Sequence, residues 1–259
     1  MDLDLAGRSY IVSGGTKGLG LATVESLVGE GASVVVVARD EERLRSVRDR
    51  LGTSVATVKG DLDDPGVAAV VIDRAYELFG RLDGGLVSVG GPPAGSVLTA
   101  TDDQWTAAFG SVFLGGLRLM REIARATASS GADSPGRGSS IAVVLSSSAI
   151  QVLSGISISN GLRPGLGMLV TDLADEVGPL DVRVNGLLPG RFDTERIREL
   201  DELSGDAAAN RARISATIPL RRYGQAQEFA TVATFLLSPA ASYVTGTLIA
   251  VDGGSTRVP

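Results

Sequence analysis

The chain has 259 residues, 44% hydrophobic and 21% charged, with a formal net charge of −6. This composition is typical of a globular protein, and the negative balance argues against a nucleic-acid surface or an anionic membrane as partner. Cysteine and histidine are both absent, which excludes disulfides, thiol nucleophiles, Ser-His-Asp triads and ordinary zinc sites.

A glycine-rich turn, Ser13 to Gly20, follows the first predicted strand. That strand is the β-branched run from Arg8 to Val12, and Leu21 to Val28 continues with helical spacing. Such a turn between a strand and a helix lets the backbone approach a pyrophosphate and directs the N–H groups of the helix N-terminus at it. The pattern therefore predicts the dinucleotide site of a Rossmann fold.

Strands and helices are predicted to alternate through the rest of the chain. We predict strands over 33–37, 53–58, 82–89, 141–145, 182–188 and 247–251, and helices over 42–51, 67–79, 105–126, 160–177 and 225–237. Thr101 or Asp102 is a suitable cap for the third of these helices, and Pro164 is tolerable only in a first helical turn. Residues 129–138 read as a polar surface loop.

This alternation predicts one α/β domain spanning residues 1–259, with a doubly wound parallel sheet and helices on both faces. Residues 193–216 are predicted to form a helical excursion that covers the substrate pocket. Ligands bind at the carboxyl edge of such a sheet, where the loop from Gly90 to Gly95 and the serines Ser146 to Ser148 fall. Asp61, after the third strand, is either a hydrogen-bond partner for an adenine amino group or an N-cap for the helix beginning near Pro65.

Ordered motifs over nearly the whole chain resemble those of the short-chain dehydrogenase/reductase family. They are Ser13 to Gly20 for the TGxxxGxG turn, Asp61 and Leu62 after the third strand, Val182 to Gly190 for the RVN…PG segment, and Gly246 with Val251 to Gly254 at the C-terminus. The resemblance implies a nicotinamide dinucleotide cofactor and a homo-oligomer, a dimer or a tetramer. The glycines of the long helices would permit close approach between subunits or packing inside the monomer; they are Gly115, Gly116, Gly165 and Gly167.

The resemblance also implies which residues bind the cofactor. They are Gly14, Thr16, Lys17, Gly18, Leu19, Gly20, Arg39, Asp61, Leu62, Ser88, Gly90, Arg163, Pro189, Gly190, Phe192 and Thr194. Members that prefer NAD place an acid at the end of the second strand, where it accepts from the ribose 2′-OH. Here Ala38 is followed by Arg39, and Lys17 adds a second cation, so we predict NADP(H). The alternative is that both are solvated surface charges.

The catalytic positions depart from the family pattern of Ser, Tyr thirteen residues on, Lys four after that, and Asn from the preceding long helix. Aligned backwards from Pro189, the Ser, Tyr and Lys positions are Ser146, Ser159 and Arg163, and the Asn position is Ser111. A slip of one residue gives Ser147, Asn160 and Pro164 instead. The pattern resembles a divergent subgroup, similar to the β-ketoacyl carrier-protein reductases, that lacks the full tetrad.

Neither alignment supplies the tyrosine that donates the proton in the family. Tyr10, Tyr76, Tyr223 and Tyr243 do not lie at the expected position. Tyr223 follows the excursion and is the best placed substitute, with a packing role as the alternative. Arg163 cannot relay a proton, but its donors suit ribose hydroxyls and its charge suits a developing oxyanion.

We therefore expect an NADP(H)-dependent oxidoreductase acting on a carbonyl or alcohol of a small organic or acyl substrate. The alternatives are a dinucleotide-binding sensor or partner subunit without redox turnover, and a non-redox lyase or isomerase. The N-terminus lacks the features of a signal peptide and no apolar run reaches membrane-spanning length. We expect a cytoplasmic protein without metal, nucleic-acid or membrane partners.

Overall fold

Seven parallel strands form one sheet in the computed structural model, which describes residues 1–128, 138–202 and 205–257. They are β1 (Ser9–Ser13), β2 (Ser33–Ala38), β3 (Val55–Lys59), β4 (Gly84–Ser88), β5 (Ser139–Val144), β6 (Val182–Pro189) and β7 (Leu248–Val251). The spatial order is β3-β2-β1-β4-β5-β6-β7. Because the order reverses between β1 and β4, a crevice opens there at the carboxyl edge. The predicted doubly wound α/β fold is confirmed.

Helices cover both faces of the sheet. They are α1 (Gly18–Gly29), α2 (Glu41–Leu51), α3 (Val67–Phe79), α4 (Asp102–Ala108), α5 (Gly115–Ala128), α6 (Ser157–Val177), α7 (Glu195–Glu202), α8 (Ala207–Ser215) and α9 (Ala226–Leu237). The predicted 105–126 helix is α4 and α5, joined by a widened π-helical turn, Phe109–Leu114. The predicted loop over 129–138, except Gly138, lies outside the described residues.

The valine run of β2 shows why the sheet is buried on both sides. Val35 and Val37 pack into the core under α3, α5 and α6, while Val34 and Val36 pack into the core under α1 and α9. Successive strand residues face opposite sides, and both sides are covered by helices, so the run is apolar throughout.

The N-cap residues of α4 and α3 decide two of the predictions about helix starts. Thr101 is the N-cap of α4 and forms a capping box with Gln104, which confirms one of the two predicted caps. The N-cap of α3 is Gly66, so the N-cap interpretation of Asp61 is wrong.

Pro164 lies in the interior of α6 and not in its first turn, contrary to our expectation. The helix begins three residues earlier than predicted, at Ser157, which makes Pro164 its eighth residue. The start is fixed by tertiary contacts, because the backbone N–H of Ser157 donates to Gly95 O and that of Gly95 donates to Gly155 O. Pro164 itself cannot donate to the carbonyl four residues before it, so that bond of the helix is missing.

The glycines of the long helices serve packing within this chain. A methyl group on Gly115 would lie 2.7 Å from Leu62 O, and one on Gly165 would lie 3.1 Å from the Phe113 ring. These contacts support the monomer alternative for the glycines, and the homo-oligomer stays a prediction. Among the described residues, no helix combines the length and the apolar character needed to cross a bilayer.

Candidate active site

The glycine turn between β1 and α1 has the geometry of a phosphate cradle. Gly14 and Gly18 have φ values of +63° and +55°, which favour glycine. A methyl group on Gly20 would overlap the carbonyl oxygen of Gly14. Lys17 is the N-cap of α1 and its side chain makes no capping bond, so no capping side chain occupies the N–H groups of the first turn. This end of α1 fits a pyrophosphate.

Two cations and two carboxylates meet beside this turn. Lys17 Nζ lies 3.2 Å from a carboxylate oxygen of Glu195, the first residue of α7. Arg43, on α2, donates to both oxygens of the same carboxylate at 3.1 Å. Hydrogen bonds from Arg43 and then from Lys17 lower the pKa of Glu195 to about 2. Arg43 Nε also lies 3.3 Å from Asp40 Oδ2, so two carboxylates balance the two cations. Arg43 joins the cluster without having been predicted.

The predicted Arg39 and Asp61 lie on the same side of the cleft. Arg39 Nη1 is 3.6 Å from Asp61 Oδ2, and both side chains are largely exposed. The other oxygen of Asp61 accepts from Asp63 N at 3.2 Å. The two predicted adenosine contacts are therefore neighbours, at the ends of β2 and β3.

A pair of buried serine hydroxyls follows β5. Ser148 Oγ and Ser159 Oγ are 2.9 Å apart, and both residues are buried. Ser146 Oγ instead accepts from the backbone N–H of Ser148 at 3.1 Å. The sequence alignment names Ser146 as the partner of Ser159, whereas the structure brings Ser148 to it. Three consecutive serines offer no sequence signal that separates these two hydroxyls.

Arg163 lies one helical turn beyond Ser159 on α6 and is only 4% exposed. Its Nη1 donates to Val144 O at 2.7 Å and its Nη2 to Gly90 O at 3.3 Å. Its Nε is buried without a hydrogen-bond partner. Burial, and then the charge of Arg196, lower the pKa of Arg163 to about 10, so the guanidinium stays charged at neutral pH.

The remaining predicted catalytic positions include Asn160 and Pro164 of the alternative alignment and Ser111, at the Asn position of the first. The Asn160 side chain bonds the backbone N–H and the carbonyl of Leu153, and Pro164 has no side-chain donor. Ser111 lies in the widened turn, where its hydroxyl donates to Ala107 O at 2.8 Å. The hydrogen bonds of Asn160 and Ser111 go to backbone groups and not to the Ser148–Ser159 pair.

Three of the four tyrosines donate to groups outside the serine pair, and the fourth is exposed. Tyr10 OH donates to Leu237 O, Tyr76 OH to Ala126 O, and Tyr223 OH to Asp201 Oδ1, while Tyr243 is fully exposed. Tyr223 is buried beneath the guanidinium of Arg211, 4.6 Å from the ring centre. Its packing supports the structural alternative for this residue.

The other predicted cofactor residues line the same edge. Ser88, at the end of β4, accepts at its carbonyl from Ser13 Oγ at 2.9 Å. Thr194 lies against the turn, since a methyl group on Gly18 would be 3.6 Å from Thr194 Cγ2. Phe192 is different, because its ring is buried edge-on against Phe229 in the core. The remaining members are half-buried or exposed: Thr16, Leu19, Leu62, Gly90, Pro189 and Gly190.

Known proteins match the chain over nearly its whole length. The family model described as Enoyl-(Acyl carrier protein) reductase matches residues 14–256. The 3-oxoacyl-[acyl-carrier-protein] reductase FabG of Salmonella typhimurium is 28% identical over 258 residues, covering 99% of this chain and 100% of that protein.

Two solved structures have closely similar folds. L-sorbose reductase from Gluconobacter frateurii, complexed with NADPH and L-sorbose, superposes with a TM-score of 0.91 at 28% identity and full coverage of both chains. A short chain oxidoreductase from Pseudomonas aeruginosa PAO1, NADPH-bound and containing an atypical catalytic center, gives 0.89 at 28% identity, with 98% and 99% of the two chains covered.

Proposed function

The chain belongs to the short-chain dehydrogenase/reductase family, and on that premise we propose that it is an NADPH-dependent reductase of a small carbonyl compound. One observation carries the proposal: the Ser148–Ser159 hydroxyl pair and the buried Arg163 share the carboxyl edge of the sheet with a glycine cradle. The hydroxyl pair can hold a carbonyl oxygen, and the glycine cradle can hold a dinucleotide.

The cradle supports the nucleotide part of the proposal. The backbone of Gly14 to Gly20 and the N-terminus of α1 would hold the pyrophosphate, Asp61 the adenine, and Thr194 the carboxamide. Arg163, with its partnerless Nε, would donate to the nicotinamide ribose. When bound, the reduced nicotinamide supplies a hydride.

The cationic side chains beside the turn support NADPH over NADH. Lys17 and Arg43 converge on one carboxylate, and Arg39 lies at the end of β2. A 2′-phosphate suits the same cations through charge-assisted hydrogen bonds. The L-sorbose reductase and the Pseudomonas enzyme, both structures with NADPH, are consistent with this choice.

We assign the substrate oxygen to the two buried serines. Their hydroxyls would donate hydrogen bonds to the carbonyl oxygen, and the Arg163 charge behind them would stabilise negative charge as it develops there. Ser146 stays a predicted catalytic residue, and its hydroxyl accepts a hydrogen bond from the backbone N–H of Ser148. No phenol is available, so the proton would come from water held by the hydroxyls, and a missing general acid typically lowers the rate by about 10²–10⁴.

A second candidate is a dinucleotide-binding protein without turnover. It is favoured by the tyrosine contacts, since the hydroxyls of Tyr10, Tyr76 and Tyr223 all donate to groups outside the serine pair. A sensor or partner subunit needs the cradle and not the proton donor. The assembly as dimer or tetramer and the cytoplasmic location stay predictions.

Two measurements test the proposal. Calorimetric titration with NADPH and NADH should detect uptake, with NADPH bound more tightly. Nicotinamide absorbance followed against a panel of aldehydes and ketones should then show oxidation of NADPH, which Ser159→Ala reduces. Tight binding without turnover on the whole panel would favour the second candidate, and no uptake of either nucleotide would refute both.

A further inference from the structure

A second arginine lies on the loop that follows β4. The Nη2 atom of Arg196, the second residue of α7, is 3.4 Å from Pro92 O. A methyl group on Gly91 would be 2.7 Å from the same Nη2. The glycine therefore leaves the room in which the guanidinium rests on the loop backbone.

Arg163 and Arg196 contact consecutive residues of this loop. Arg163 donates to Gly90 O, and Arg196 rests on Gly91 and Pro92. The charge of Arg196 is one cause of the lowered pKa of Arg163, so the two cations repel each other across the loop.

Among the residues that the structure describes, no carboxylate neutralises either cation. In the described parts of the chain, no ion pair involves Arg163 or Arg196. The two acids that precede Arg196 in the sequence face other cations: Asp193 pairs with Arg198 and Arg211, and Glu195 pairs with Lys17 and Arg43. Guanidinium groups gathered without a counter-ion attract an anionic ligand.

The ribose of the nucleotide accounts for only one of the two arginines. In the proposed function, the ribose hydroxyls use the donors of Arg163, which is 4% exposed and has a partnerless Nε. Ribose hydroxyls are neutral, so they do not compensate the two positive charges of Arg163 and Arg196. Arg196 is exposed and its single backbone contact is long, so most of its five N–H donors are available to a ligand.

We propose that the carbonyl substrate carries an anionic group, a carboxylate or a phosphate, which Arg196 binds while the Ser148–Ser159 pair receives the carbonyl oxygen. This inference rests on the proposed function for the position of the carbonyl. It adds the substrate class: a small anionic oxo compound rather than a neutral ketone or sugar.

Matched pairs of compounds test the inference without any turnover. Acetoacetate and methyl acetoacetate differ in one carboxylate, and dihydroxyacetone phosphate and dihydroxyacetone differ in one phosphate. Each is titrated calorimetrically into the full chain, with and without NADP⁺, which has no hydride to donate. The anionic member of at least one pair should bind about tenfold or more tightly than its neutral counterpart, as expected of a charge-assisted hydrogen bond. The pair that responds identifies the anionic group.

Variants test whether Arg196 causes the preference for the anionic compound. Arg196→Gln should weaken the anionic compound about tenfold and leave the neutral one unchanged. Gly91→Ala keeps both charges but displaces the guanidinium, and it should weaken the same compound. Arg213→Gln is the matched control, because Arg213 is an exposed arginine on α8 bonded only to Asn210 in the described structure.

The outcomes separate this inference from the proposed function. Equal binding within both pairs, no uptake of either anionic compound, or an Arg196→Gln response no larger than that of Arg213→Gln would overturn the inference alone. Anion preference in a protein that takes up no nucleotide would uphold the anion site and refute the proposed function.

Discussion

Replacing Arg163 by methionine is expected to abolish most of the activity while leaving the unliganded fold as stable as before, or slightly more so. A buried arginine normally has a carboxylate partner, and removing such an arginine costs about 3–5 kcal/mol because a charge is left uncompensated. Arg163 has only the carbonyls of Val144 and Gly90 as partners. Its removal leaves no unpaired charge behind.

The magnitude follows from the pKa and the two hydrogen bonds. Burial lowers the pKa of Arg163 from its ordinary value to about 10, which corresponds to about 3 kcal/mol against folding with the group charged. Because the folded pKa of this base is lowered, the cost is fully present below about pH 10 and fades as the pH rises above that value. Loss of the two hydrogen bonds of Arg163 destabilises the variant by about 1 kcal/mol each, which offsets part of this gain. Methionine should therefore stabilise the unliganded protein by about 1 kcal/mol.

Urea unfolding at pH 7 measures this difference, provided that the slope of the transition is unchanged. The variant should lose about 10²-fold in turnover, the typical effect of removing a group that stabilises an oxyanion, and NADPH should raise its unfolding midpoint less than that of the parent. Arg183→Met is the control. Arg183 is a buried arginine that donates to three carbonyls, Leu236 O, Ser238 O and Val244 O, and it lies at the other side of the fold. Its loss should destabilise more and leave the nucleotide effect intact.

Two results would refute the reasoning on Arg163. A loss of stability of about 3 kcal/mol or more would mean that the guanidinium has an anionic partner in the protein. Unchanged turnover would mean that its charge does not act on the substrate oxygen.

Three further substitutions test the nucleotide site by calorimetry. Arg43→Gln should weaken NADPH about tenfold and leave NADH unchanged, whereas Arg48→Gln on the same helix should alter neither; equal losses for both nucleotides would remove Arg43 from the 2′-phosphate. Glu195→Gln should tighten NADPH by about twofold to fivefold, since the carboxylate competes for the same cations, and Glu199→Gln should have no such effect. Gly20→Ala should weaken both nucleotides and destabilise the fold by about 1–3 kcal/mol in urea, because its methyl group overlaps the turn; normal binding would show that the turn is free to adjust.

The sequence alone determined the fold and the location of the site. Hydrophobic periodicity identified the strands and helices, because a strand buried on both faces and a helix with one apolar face leave local signals. Their outer bounds lie within three residues of those observed, but the π-helical turn between α4 and α5 was not predicted. The glycine turn was readable for the same reason. Positive φ and a close backbone approach exclude other side chains at Gly14 and Gly20, so the requirement is recorded in the residues themselves.

Tertiary structure alone decided which side chains meet. Ser148 and not Ser146 reaches Ser159, because the short helical turn after β5 points the side chains of the three consecutive serines in different directions. Glu195 meets Arg43 across 152 residues of sequence, and α6 begins early enough to enclose Pro164 because a distant loop binds its first residue. Such contacts depend on how elements pack and leave no periodic or local trace in the chain. The sequence therefore located the site, whereas packing determined its charge and its hydroxyl pair.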